Sequence, residues 1–194
     1  MSQATLPALV QQALRASQDN DISTALELLT QARREEPDSP WTCFLLAAHL
    51  AQAGRYDEAE VEYSNSLLLA PEMTLARYEL GTLQFTSGRA SAAMLTWQPL
   101  LALPDTHYLK LFILGYIALA GDNFVEAHRQ FERGIAANSE NPPLNGNMRL
   151  LIDRIREIPA AQDIPTPTTQ EPSEEPGDVA TEHFLLSGYG KNLH

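Results

Sequence analysis

The chain has 194 residues, 44% of them apolar, with one cysteine and a formal net charge of −12. That length suits one domain plus a tail. The acidic balance excludes nucleic acid, whose phosphates need a basic surface, and anionic membrane faces, while the lone Cys43 excludes an internal disulfide or a multi-cysteine metal site and reads as a small core residue.

The opening stretch MSQATLPALVQQALRAS has no basic segment followed by an apolar run, so no secretory leader is expected. The most apolar stretch, Leu111–Ala120, is about half of the roughly 20 residues that a membrane span needs. A cytoplasmic chain without membrane insertion is the expectation.

The predicted elements come in pairs. Residues 6–39 hold a helix near Leu6–Ser17, a turn at QDND and a second helix near Ile22–Glu35, which Asp19, Asn20 or Asp21 can cap through a free backbone N–H. In residues 40–73, Pro40 opens the helix WTCFLLAAHLAQA, Gly54 permits a tight turn, Asp57 and Glu58 sit in the first turn of the next helix, and Pro71 ends it. Residues 74–107 hold a third pair, in which Pro99 is expected to kink or shorten the second helix near Thr96. Residues 108–141 hold a fourth, opening with YLKLFILGYIALA. In 142–158, Met148, Leu151, Ile152 and Ile155 follow helical spacing, giving one apolar face to close the array. Residues 159–178 carry five prolines, five acidic residues and no aromatic, and read as a disordered, extended linker. Residues 179–194 regain Phe184, Leu185, Leu186 and Tyr189, an apolar motif at the end of that tether.

The pairs repeat in register. Ala25, Ala59, Ala93 and Ala127 are 34 residues apart. Four residues after them stand the large apolar Leu29, Tyr63, Trp97 and Phe131, and five before them the turn formers Asn20, Gly54, Gly88 and Asp122. Twelve before them come the small Ala13, Ala47, Gly81 and Gly115. With these positions, and most closely in LGYIALAGDNFVEAHRQF at 114–131, the chain resembles the tetratricopeptide repeat proteins. The resemblance implies an all-α, right-handed superhelical solenoid over residues 1–158, with four helix-turn-helix repeats, a capping helix and a disordered acidic, proline-rich tail. It departs from the family at the fourth repeat position, often Trp but here Leu9, Cys43, Arg77 and Leu111, and at the eleventh, often Tyr but here Ala16, Leu50, Gln84 and Ala118. The closing prolines of the last two repeats are also missing or displaced.

No catalytic set emerges. His49, His107, His128, His183 and His194 lack the spacing of a helical zinc site, the glycines sit at repeat positions and not in a phosphate loop, and no serine lies in a G-x-S-x-G elbow. No enzyme, cofactor or metal is expected. The resemblance implies a concave groove lined by the first helix of each repeat. Its residues here are Val10 and Leu14; Trp41, Phe44, Leu45 and Ala48; Tyr78, Thr82 and Phe85, with Glu79 at the edge; and Leu109, Phe112, Ile113, Tyr116 and Leu119. This set is almost wholly apolar and aromatic, as an interaction surface is. It lacks the Lys, Asn and Arg that family members use to hold acidic chaperone C-termini, so no such binding is expected.

The reading is a protein-binding adaptor or chaperone whose groove takes an apolar or amphipathic partner segment. It is similar, more weakly, to the small cytoplasmic repeat chaperones of bacterial secretion systems. The alternative is a two-surface assembly scaffold, or an autoinhibited adaptor, that uses the tethered motif 179–194. An apolar groove is equally open to closure by a second copy of the chain.

Overall fold

The computed structural model describes residues 7–158. Among them are nine α-helices and no strand: α1 Ala8–Gln18, α2 Ile22–Glu35, α3 Pro40–Gln52, α4 Tyr56–Leu69, α5 Thr74–Thr86, α6 Ala90–Trp97, α7 Tyr108–Ala120, α8 Phe124–Ala137 and α9 Pro142–Arg156. The linker 159–178 and the motif with Phe184, Leu185, Leu186 and Tyr189 lie outside the described residues. The described residues fall into two compact units that divide between Ala102 and Leu103.

In unit 1, helices pair as hairpins α1–α2, α3–α4 and α5–α6, and α2 packs on α3 and α4 on α5. The turns form where the sequence places them. Asn20, Gly54 and Gly88 all adopt left-handed φ of +59°, +74° and +77°, the region that glycine and asparagine tolerate best. Asp21 caps α2 by accepting from the Thr24 N–H at 3.0 Å, and Ser39 caps α3 by accepting from Thr42, with Pro40 at the first turn. Helix α6 stops at Trp97, and Gln98–Ala102, with Pro99 inside it, continues as a tighter 3₁₀ turn.

The hairpins close on small residues. A Cβ on Gly81 would fall within the indole of Trp97, so the missing side chain lets the ring reach the backbone, where its Nε1–H donates to the Tyr78 carbonyl at 3.0 Å. Within the α3–α4 hairpin Ser66 donates to the Pro40 carbonyl at 2.9 Å. Between hairpins the joints carry polar pairs, and Arg33 of α2 meets Glu62 of α4 at 3.0 Å. Glu60 on α4 takes Arg89 at 2.6 Å and Gln84 at 3.1 Å, and Thr96 donates on to Gln84 at 2.7 Å, tying α4, α5 and α6.

Unit 2 pairs α7 with α8 and lays α9 on α8. Its turn uses Asp122 at φ +54°. Two glycines accept aromatic rings in opposite directions: Gly115 of α7 takes Phe131, and Gly134 of α8 takes Phe112. Asn138 and Asn145 lock the α8–α9 joint. The Asn138 amide donates to the Asn145 side-chain oxygen at 2.8 Å and to the Asn141 carbonyl at 2.6 Å, and its own oxygen accepts from the Asn141 N–H at 2.8 Å.

Two glycines of helix interiors therefore respond oppositely to a methyl group. Gly81→Ala forces the Trp97 indole aside and is expected to cost about 1–3 kcal/mol. Gly146→Ala, with nothing within 4 Å of the added Cβ, is expected to stabilise by about 0.5–1 kcal/mol through helix propensity. Thermal unfolding of the two variants checks both signs; equal shifts would contradict the close approach at Gly81.

Candidate functional site

The candidate site is on the first helices of the hairpins of unit 1, α1, α3 and α5, the inner helices of the expected solenoid; α7, the first helix of unit 2, is described by itself. On α3, Trp41 and Phe44 meet edge to face with centroids 5.9 Å apart, and Phe44 leans in turn on Tyr63 of α4 at 5.9 Å. Phe44 is fully buried and Trp41 is 54% exposed. Val10, Leu14, Leu45, Ala48, Tyr78 and Thr82 are buried too, while Phe85 is half-buried and lies 5.8 Å from the Trp97 ring. The Thr82 hydroxyl donates to the Tyr78 carbonyl at 3.0 Å.

On α7, Tyr108 stacks on His107 at 4.9 Å and meets Phe112 edge-on at 6.0 Å, and Tyr116 meets Phe131 at 5.4 Å. Leu109, Phe112, Ile113 and Tyr116 are buried and Leu119 is half-buried. The residues read from sequence as a groove lining lie on the first helix of each hairpin, in unit 1 and, separately, in unit 2, but Phe44 and Phe112 belong to the hairpin cores. The cause is azimuth: Phe44 precedes Ala47, and Phe112 precedes Gly115, by three residues, which is only about 60° around a helix. Trp41 stands about 120° from Ala47 and stays at the surface.

Buried polar groups add a feature that the apolar pattern hides. Glu79 of α5 has no exposed surface, and its charge, after burial itself, raises the pKa of the Tyr63 phenol well above the ordinary range. Its sequence signal was its repeat position, the same as that of buried Leu45. His49 is 1% exposed and its Nδ1–H donates to the Leu45 carbonyl at 2.8 Å; among the described residues its Nε2 has no hydrogen-bond partner. Burial lowers its pKa. Burial also pushes the Cys43 thiol up to about 11, so it is unreactive at neutral pH. No group of three or more His, Cys, Asp or Glu side chains could hold a metal among the described residues, and no described helix is long and apolar enough to cross a membrane.

Two models of the tetratricopeptide repeat match residues 16–65 and 44–98. A comparison with curated proteins found no match. Among solved structures the chain is similar to MamA, residue 41 to the end, from Desulfovibrio magneticus RS-1, with TM-score 0.56 and 15% identity over 82% of this chain and 99% of that one. It is similar to a chain of the APC/C hetero-tetramer Cut9–Hcn1, with TM-score 0.66 and 18% identity over 76% of this chain and 29% of that one. A tetratricopeptide repeat protein from Parabacteroides merdae ATCC 43184 matches with TM-score 0.54 and 21% identity over 76% of this chain and 62% of its own. At these identities the solved structures speak to the fold alone. The repeat models identify tetratricopeptide repeats over residues 16–98, in keeping with the helix hairpins described there. The repeat is one that builds helical solenoids and serves as a protein–protein interaction module.

His49 gives a pH test of the inner helices. Its folded pKa lies below the unfolded value of about 6.5, so the unfolded chain takes up the proton first. Stability is full above about pH 6.5 and falls as the pH drops below it. His49→Leu is expected to show a shallower fall in melting temperature between about pH 7.5 and pH 5.5 than the wild type; an unchanged slope would remove the buried neutral imidazole from the account.

Proposed function

We propose that the protein is a non-enzymatic adaptor or chaperone of the cytoplasm that holds an apolar or amphipathic segment of a partner protein on its inner helices. The observation that carries this is Trp41, which stands 54% exposed at the start of α3 with its ring edge-on to buried Phe44. A large aromatic side chain left in solvent beside an apolar face is the residue type that anchors protein interfaces. The face around it offers backbone-satisfied threonine, aliphatic and aromatic side chains, which suits a partner helix read by spaced apolar anchors. The positions read as groove lining carry no lysine or arginine among the described residues to hold a peptide carboxylate, and the chain's net charge of −12 disfavours an acidic partner.

The test is capture of partners from a native lysate, followed by affinity measurement with the purified partner. Trp41→Ala removes an exposed side chain, so the fold is expected to survive, with a melting temperature within a few degrees of wild type. Partner affinity is expected to fall by about 2 kcal/mol, or roughly thirtyfold. A partner that binds Trp41→Ala as tightly as wild type would place recognition elsewhere.

A further inference from the structure

Helix α9 is fastened to α8 near both of its ends, and the two fastenings differ in chemistry. Asn138, at the end of α8, meets Asn145 in the first turns of α9. His128, near the start of α8, meets Arg156 at the end of α9. The two contacts stand about 15 Å apart along α8 and about 17 Å apart along α9, as an antiparallel pair requires. The asparagine clamp contains only neutral amides and is indifferent to pH. The other fastening is titratable. Arg156 Nη2 lies 3.0 Å from His128 Nε2. A guanidinium only donates, so Nε2 accepts, and the imidazole is neutral with its proton on Nδ1. Asp153 of α9 accepts from Arg156 Nη1 at 3.2 Å. Glu132 of α8 lies 3.9 Å from both His128 Nε2 and Arg156 Nη2. Helix α7, which also packs on α8, has Lys110 as its one charged side chain, and the Lys110 ammonium donates to Asp105 and to the Leu103 carbonyl. Its Tyr108 and Tyr116 lie against His107 and Phe131.

We propose that the α8–α9 joint is an acid-opened latch, in which protonation of His128 releases the Arg156 end of α9 while the Asn138–Asn145 clamp keeps its first turns in place. A proton taken up at Nε2 turns the acceptor into a donor. It also sets an imidazolium against a guanidinium at hydrogen-bond distance, so an attraction becomes a repulsion. Glu132 offsets this only in part, because its side chain is half exposed and its contacts are longer than hydrogen bonds. The Arg156–Asp153 pair lies within α9 and does not hold the joint. Burial first, and then the Arg156 charge, keep the His128 imidazole below its ordinary value, with Glu132 pulling the other way. The released form therefore takes up the proton first, and the latch loosens as the pH falls below about 6.5. The end that lifts carries Ile152 and Ile155, each 2% exposed in the closed joint, so opening uncovers apolar surface. Gly146 and Asn147, just past the clamp, are weak helix formers, which lets α9 bend there. The latch lies wholly in unit 2 and stands whether or not the helices of unit 1 hold a partner segment.

The test is NMR of the whole chain between pH 7.5 and pH 5.0, following amide hydrogen exchange, corrected for the intrinsic rate at each pH, and the His128 ring signals. Protection at Ile152 and Ile155 is expected to fall about tenfold, beginning near the ordinary imidazole value, while Leu144 and Asn145 keep theirs. Because His49 weakens unit 1 in the same range, the rates are read against the amides of α8. His128→Gln, whose side-chain oxygen can still accept from Arg156, is expected to keep α9 docked and to lose the pH dependence. Arg156→Gln is expected to lower protection of Ile152 and Ile155 already at pH 7.5 and to move the His128 midpoint upward. Unchanged protection across the range overturns the proposal. So does a fall of wild-type size in His128→Gln, or one shared equally by Leu144, Asn145 and the amides of α8. Should His128→Gln fail to fold, the midpoint in Arg156→Gln decides: one that does not move removes Arg156 from the latch and overturns the proposal.

Discussion

The last two hairpins each depend on a large side chain entering the space left by a missing one. Trp97 enters at Gly81, Phe131 at Gly115 and Phe112 at Gly134. Two helices joined by a short turn approach closely only where one of them has little or no side chain, and the ring that fills the gap then fixes both their separation and their rotation. In the first two hairpins Ala13 and Ala47 hold the small position, and Leu29 and Tyr63 are fully buried. The turns serve the same end. Four residues at equivalent places take left-handed φ, which reverses the chain within the few residues that such an approach allows.

Between hairpins the control passes to polar groups. Ion pairs such as Arg33–Glu62 and Arg89–Glu60 contribute little stability each in partly exposed positions. Their geometry is informative for another reason: Glu60 gathers groups from α5 and from the start of α6, and Asn138 binds backbone and side chain of the α8–α9 joint at once. Bonds of that kind set the angle at which one hairpin meets the next more than they deepen the energy well. Apolar burial supplies the stability, and the network selects among packings of similar burial.

Most of the architecture was legible because the repeat constrains it four times over. The spacing of Ala25, Ala59, Ala93 and Ala127 placed every hairpin, the second helix of the first repeat came out at its observed bounds, and Pro99 marked the end of α6. The inner face was legible in its residue types but not in its burial. Phe44 and Phe112 sit about 60° from the small hairpin position, so one pattern assigns them to the groove and the same pattern lets them lean into the core. Glu79 was invisible as a buried group, since a single carboxylate at a helix position reads as solvated until its neighbours are known. The asparagine clamp was missed for a similar reason: Asn138 and Asn145 lie seven residues apart across a turn, and nothing in their spacing says that their side chains meet.

The burial of the inner helices changes what binding there means. A solvated apolar groove gains from any apolar ligand, because each contact removes surface from water. A face whose Leu45, Ala48, Glu79 and Thr82 are already buried has little surface left to remove from water, so an incoming segment gains less over those residues than over an exposed one. Trp41 differs from the rest of the set in being accessible without any displacement. On the proposed reading, the exposed indole is therefore the first contact that a partner segment makes, and the buried residues around it hold the indole's own position.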